Sequence, residues 1–404
     1  MAQGAVGAAG GGGVGVSGGG NPFQLATNLY AEKNQQGLTT SLTTGATQTP
    51  GGGAVNAGQF LRAVRLIFRT STAGTVATAG ATSDMPWNIL TGTDIVNVDG
   101  SEILYTMGGY AHYLGQKYGR PWLGDPATFQ DAAVSTVLVP QFTLTLQPEI
   151  RWSAGVLANT DSRSQYRFDY VIDTETNFLQ GGTGYTVHPV INVTPYMDAW
   201  AQPDATDLQG TANQPVPPGL NLQVKRRHQI FTLNAAGSDN ILQSALTGNA
   251  LRLQLLVTRN ATNNLRSDNL TDPILWQLDN RSMGKLSTVV AVGTAPWAAG
   301  SGLTELWMSQ FYDEYFQTKT TSTATSGLQA PTAYVPYQRE VGVYAFPRFI
   351  KPGTLFGQGW LYTANSTKEI FESTSSASTA SATAELITDE VYPVGPVDPS
   401  LTDI

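Results

Sequence analysis

The sequence predicts a mainly β protein made of two antiparallel sandwich units. Three observations carry that prediction. Short runs of alternating apolar and polar residues recur from Gln59 onward; no regular helices intervene to make βαβ units; and a proline-rich break falls near the middle of the chain. Val64, Leu66 and Phe68 alternate with Arg65, Ile67 and Arg69, and Phe142, Leu144 and Leu146 with Thr143, Thr145 and Gln147. The same period recurs in Tyr166–Ile172, Leu220–Lys225 and Leu251–Thr258. Period two turns one set of side chains toward a core and the other toward solvent or a second layer.

The flanking segments read differently. The first twenty residues hold ten glycines, and the stretch to Gly58 continues with few apolar anchors, so residues 1–58 are expected to form a flexible glycine-rich arm. Two stretches carry helical spacing: Ser101 to Tyr118, with Ser101 as N-cap, and Leu303 to Phe316, where Leu303, Trp307 and Phe311 lie four apart. Pro203-Asp204 and Gln214–Gly219 resist regular structure and place a boundary at 215/216. This gives a first unit over 59–215 and a second over 216–372. Ser373 to Ala384 contains only Ser, Thr and Ala and reads as a loop leading into a tail over 373–404. Within that tail Leu386, Ile387, Val391 and Tyr392 are apolar enough to dock on this subunit or on a neighbour.

Composition removes several function classes. With no Cys, disulfide frameworks, thiolate zinc sites and cysteine nucleophiles are out. Thirty Asp+Glu against 22 Lys+Arg leave a formal charge of −8, which disfavours wholesale binding along a nucleic-acid backbone. No apolar run is long enough for a spanning helix, and the N-terminus shows neither the basic start nor the apolar core of a secretion signal.

A search for chemistry yields no catalytic set, metal-ligand set or cofactor motif. His112, His188 and His228 lie far apart without paired spacing, so each reads as a structural histidine. Matches to GxSxG and GxGxxG fall inside the glycine arm, without the strand and helix those motifs require. The acidic pairs Asp313-Glu314 and Asp389-Glu390 read as solvated faces, because adjacent carboxylates point apart rather than across a cleft. The basic run Lys225-Arg226-Arg227-His228 reads as a subunit contact or a solvated face; in a strand, Lys225 and Arg227 face one way and Arg226 the other. A low-charge, strand-rich chain with low-complexity ends and no visible catalytic set suits a structural assembly unit.

One stretch resembles a known family. Gly155-Val156-Leu157-Ala158-Asn159, followed by Ser162, Gln165, Arg167 and Phe168, is similar to a motif in the first jelly roll of tectivirus major capsid proteins. The order of parts is similar too, down to Gly359-Trp360-Leu361-Tyr362 near the end. The resemblance implies a double jelly roll, two tandem eight-stranded antiparallel rolls with short helical insertions. It implies homotrimers of pseudo-hexagonal outline that tile an icosahedral virion shell, with no enzymatic activity and no cofactor. Expected partners are the chain itself, neighbouring trimers, vertex or penton proteins, minor capsid proteins and an internal lipid membrane. The protein would be made in the host cytoplasm, with no sequence-specific nucleic-acid binding. That family has an N-terminal helix beneath the shell, whereas this chain has a glycine arm. Lys225, Arg226, Arg227, Leu386, Ile387, Val391 and Tyr392 are the expected subunit contacts.

Two other readings fit the residues. A β-sandwich adhesin would bind sugar through Trp and Tyr faces, and a sandwich glycosidase would need two distant carboxylates brought together in a cleft.

Overall fold

The computed structural model describes residues 21–24, 29–33, 37–45, 49–78, 84–119, 133–134, 137–138, 141–150, 153–178, 183–261, 264–267, 269–270, 274–286, 342–347, 360–375 and 381–393. The first part of the chain forms β1 (Leu29–Lys33), β2 (Leu38–Ser41), β3 (Thr49–Ala54), β4 (Gln59–Thr72), β5 (Gly74–Thr78), β6 (Leu90–Val96) and β7 (Glu102–Met107). Helix α1 (Gly109–Gly119) follows, then β8 (Ala133–Val134), β9 (Val137–Leu138), β10 (Phe142–Leu146), β11 (Leu157–Asn159), β12 (Arg167–Ile172), the single turn α2 (Glu175–Phe178), β13 (Thr183–Val187) and β14 (Val190–Ala201). After the proline-rich connection come β15 (Leu222–Thr232), β16 (Asp239–Ser244), β17 (Ala250–Arg259), β18 (Ile274–Leu278), β19 (Arg281–Leu286), β20 (Val343–Pro347), β21 (Leu361–Tyr362), β22 (Glu369–Thr374) and β23 (Thr383–Pro393).

Among the described residues these strands make four sheets. In the first part, β1-β14-β4-β10, with β2 on β14 and β11 on β4, faces the portion β7-β6-β12-β3 of a nine-stranded sheet. That sheet runs on through β15-β23-β17-β20, with β21 beside β17, and the second part is completed by β16-β22-β18-β19. A small sheet, β13-β5-β9-β8, lies at one edge. The two halves meet where β15 joins β7 in parallel, with Arg226 opposite Leu104.

The alternation explains the layers. Phe142, Leu144 and Leu146 of β10 are buried against Leu66 and Phe68 of β4, and the Phe68 and Phe142 rings stack at 4.2 Å. Strand β17 is buried on both faces, so its polar set, Arg252, Gln254 and Thr258, points into a second layer and not to water. One hydrophobic core runs through both halves, from Leu61 and Phe168 to Leu255 and Phe371.

Four expectations need correction. Residues 29–54 are not a free arm: β1 and β2 extend the first sheet along β14, and β3 pairs with β12. The glycines there serve packing, because a Cβ on Gly51 would stand 2.4 Å from the Tyr170 ring, which lies over the bare strand. Ser101–Tyr118 is not one helix. Glu102–Met107 is a strand pairing with β6, and Gly108 separates it from α1, while Ser101 sits in a turn where its N–H donates to Asp99 Oδ1. The tail is not peripheral either: β23 lies between β15 and β17, with Ala384, Leu386, Ile387 and Val391 buried. Finally, Ser373 and Thr374 belong to β22, and only residues 376–380 of the expected loop fall outside the described residues. A Ser/Thr/Ala run can be a strand, because small residues fit a crowded central position where neighbours supply the apolar area. The helix expected over 303–316 lies outside the described residues.

Strand register also fixes which ends lie together. Ala54, Arg167, Val96 and Glu102 form one row across β3, β12, β6 and β7. Because β7 and β15 are parallel, that row continues at the Leu222 end of β15, which pairs with Pro393. Asn21 is held close by, bonded to Asp207 and Asn213 of the connection. The described chain therefore enters and leaves at the same end. Among the described residues no helix is long and apolar enough to cross a membrane.

Candidate functional site

The most concentrated chemistry lies where α1 of the first half packs on the sheet of the second. His112, Gly115 and Gly119 share one face of α1, spaced i, i+3 and i+7. Opposite Gly115 lies the fully buried Arg226 guanidinium, whose Cζ would be only 2.5 Å from a Cβ at that position. Arg226 donates from Nε to Asp389 Oδ1 at 2.7 Å, and its Nη2 reaches Oδ2 at 3.4 Å. Arg252 Nη2 stands 3.6 Å from the same Oδ2, opposite Gly119. One carboxylate thus serves two fully buried guanidiniums.

Burial governs the titrations here. Desolvation, with Arg226 adding to it, holds His112 down to about 3, so the ring is neutral and its Nε2–H donates to Thr93 O at 2.7 Å. Desolvation also lowers Arg252 to about 10, which leaves it charged at neutral pH.

Other pairs lie within or between the halves. On the opposite face of β15, Arg227 donates to Glu390 Oε1 at 2.5 Å, and Glu390 also accepts from Thr247 at 2.6 Å and Asn249 at 2.9 Å. At the other end of α1, Asp84 of the first half accepts from Arg266 at 2.6 Å and pairs with Arg259. Both guanidiniums lie over the Tyr110 ring, at 4.8 and 5.8 Å. His228 is bonded to Glu385 at 2.8 Å, which raises the pKa of the imidazole, and His188 to Glu175 at 2.7 Å.

The resemblance motif sits at the end where the chain enters and leaves. Gly155, at φ +86°, turns the chain so tightly that a Cβ would lie 2.6 Å from Pro148 O; its N–H donates to Leu222 O of the second half. Val156 and Leu157 are buried, and Ala158 points outward. Asn159, fully buried, donates to Asn56 O at 2.6 Å and Val55 O at 3.3 Å, and accepts from Tyr166 N. Phe168 is core, Arg167 is exposed beside Asp169, and Gln165 is half-buried. Glu149 closes the corner, accepting from Arg62, Ser153 N and Trp200. The motif is thus a corner joining the two halves.

Of the expected subunit contacts, Arg226, Arg227, Leu386, Ile387 and Val391 are buried within this chain, so they are committed to its own core. Lys225, 5.1 Å from the Tyr105 ring, and Tyr392, bonded to Gln223, are half-buried. Asp389 and Glu390 are not a solvated pair: they point to opposite faces, as adjacent strand residues must, and each meets an arginine there. A signal for this was present, since a basic run and an acidic pair on antiparallel strands match in sign and register, Lys225 opposite Glu390 and Arg226 opposite Asp389. Asp84, Arg252, Arg259 and Arg266 gave no such signal. Asp313-Glu314 lies outside the described residues.

No model of a known protein family matches the chain, and no curated protein does. Solved structures do. The STIV major capsid protein shares 13% identity over 92% of this chain and 97% of its own, with a TM-score of 0.53. The structure of Sulfolobus turreted icosahedral virus gives 13%, 92%, 92% and 0.53 in the same terms. PBCV-1 VP54 gives 10% identity, 90% of this chain, 94% of its own and a TM-score of 0.52. At such identities the likeness is one of fold: this chain is a double jelly roll of the kind found in major capsid proteins of icosahedral viruses.

Proposed function

We propose that the chain is a major capsid protein that forms trimers and, through them, an icosahedral virion shell. The supporting observation is the extent of the likeness, which takes in both rolls and nearly the whole of each matched capsid protein. A double roll gives each subunit two similar sandwiches, so three copies present six similar walls and can fill a hexagonal lattice position. The division of the rolls at 215/216 belongs to this proposal, with β23 added to the second roll.

The role in this reading is structural, and it is supported by the described His side chains and by Asp389 and Glu390, which make ion pairs and hydrogen bonds inside the fold. Neighbouring trimers, minor capsid proteins and a lipid surface under the shell are the proposed partners, met at the end where the described chain enters and leaves. Vertex proteins would complete the five-fold positions, and the protein would be made in the host cytoplasm before joining the virion.

Electron microscopy of the concentrated full chain tests the reading. Hexagonal arrays or closed shells are expected. Dispersed monomers that bind a glycan array would support the adhesin reading instead.

A further inference from the structure

The outer walls of the two rolls carry opposite charge. On β4 burial alternates, so Leu66 and Phe68 enter the core while Arg65, Ile67 and Arg69 line the outer face of the first sheet. Register surrounds them with Thr143 and Thr145 of β10 and with Asn192, Thr194 and Tyr196 of β14, none of them charged. Arg65 is tied to Asp198, and Arg69 is exposed with no acidic partner among the described residues. Ile67 thus sits between two guanidiniums that face a single carboxylate.

The outer face of β16-β22-β18 on the second roll has the same plan with the other sign. Asp239, Ile241 and Gln243 of β16 are exposed, while Asn240, Leu242 and Ser244 point inward. Register sets Ile241, Glu372 of β22 and Leu275 of β18 in one row, with Asp239–Thr374 on one side and Gln243–Ile370–Gln277 on the other. Ile241 is 66% exposed. Gln277 donates to Glu372 at 2.8 Å and Thr374 to Asp239 at 2.8 Å; among the described residues neither acid pairs with a cation.

An apolar centre within a polar rim is the anatomy of a protein–protein contact. Neither wall complements itself, since two copies of the first would oppose guanidiniums and two of the second would oppose carboxylates. The first wall of one copy matches the second wall of another in charge and in the place of its isoleucine. Such a contact joins two different patches, and it closes a ring when its rotation fits. We infer that the first-roll wall of each copy docks on the second-roll wall of the next, Ile67 against Ile241, with Arg65 and Arg69 facing Glu372 and Asp239. The inference rests on the capsid reading and adds the faces by which its three copies join.

The chain has no Cys, so a disulfide forms only where thiols are introduced. The full chain carrying both Ile67→Cys and Ile241→Cys, oxidised after purification, should give covalent dimers and trimers on a denaturing gel. Either substitution alone should give monomers. Cross-linking by a single substitution would show like walls meeting and overturn the inference. A double variant that stays monomeric on the gel, while the wild-type chain is a trimer in solution, would overturn the faces and leave the capsid reading standing. A wild-type chain that is monomeric at every concentration would overturn both. Charge reversal gives a second readout by light scattering. Arg69→Glu and Glu372→Lys should each lose the trimer at concentrations where the wild type holds it, and the two together should regain it. Arg163→Glu, in the exposed turn before β12, should keep it. A trimer indifferent to both reversals would contradict the inference.

Discussion

Arg226 and Asp389 stand 163 positions apart and meet as a completely buried ion pair, guanidinium Nε to carboxylate Oδ1 at 2.7 Å. The pair lies across β15 and β23, and Arg252 from β17 approaches the same carboxylate. Removing Asp389 therefore strands two buried positive charges, whereas removing Arg226 leaves Asp389 with Arg252 beside it. Breaking a buried pair by deleting one member costs about 3–5 kcal/mol. Asp389→Asn should reach that range in denaturant unfolding, and Arg226→Met should cost clearly less. Equal losses would show that the carboxylate is not shared.

Gly115 is where α1 admits the Arg226 guanidinium. A methyl group there would meet Cζ at 2.5 Å and Nε at 2.6 Å, and the guanidinium cannot retreat without losing Asp389. Gly115→Ala should cost about 1–3 kcal/mol as overpacking, although alanine favours helix. Gly45, with nothing within 4 Å, is the control, and Gly45→Ala should be nearly neutral in the same melts.

The C-terminal segment separates into two parts. A chain ending at Pro393 keeps β23 and should unfold cooperatively as a soluble protein. A chain ending at Ala382 loses the strand between β15 and β17 and should be recovered only as aggregate. Soluble, cooperatively folding protein from the shorter chain would refute the central placement of β23.

His112 sets an acid limit. Its folded value of about 3 lies below the ordinary 6.5, so between those values the unfolded chain binds a proton that the folded chain refuses. Stability should fall as pH drops through this window, by at most about 1.4 kcal/mol per pH unit for this group. Arg226, His228 and Asp389 face it, and of these Asp389 favours the protonated ring while Arg226 and His228 oppose it. His228 has the opposite sign: its raised value, owed first to Glu385, adds stability at low pH that is lost as pH rises through the folded value. His112→Gln should flatten the acid limb and His228→Asn steepen it, as read by melting temperature against pH.

Much of the fold was legible because period-two burial is local. Phe142, Leu144 and Leu146 declare their faces without knowledge of a partner strand. Strand β3 was not legible, because Gly51–Gly53 acquire a reason only when Tyr170, over a hundred residues away, is laid over them. β23 was legible only as an apolar segment that docks, because Leu386, Ile387 and Val391 do not say which strands flank them; β15 and β17 do so only through register. Within the seam the basic run and the acidic pair were both visible, yet each was read alone. Arg252, hidden in an apolar strand, became part of the site only through register.

The native mass of the purified full chain by multi-angle light scattering tests the central claim most directly. The capsid reading predicts a stable trimer of about 129 kDa, three times the 43.0 kDa chain, with larger assemblies as concentration rises. A single species near 43 kDa at every concentration would contradict it.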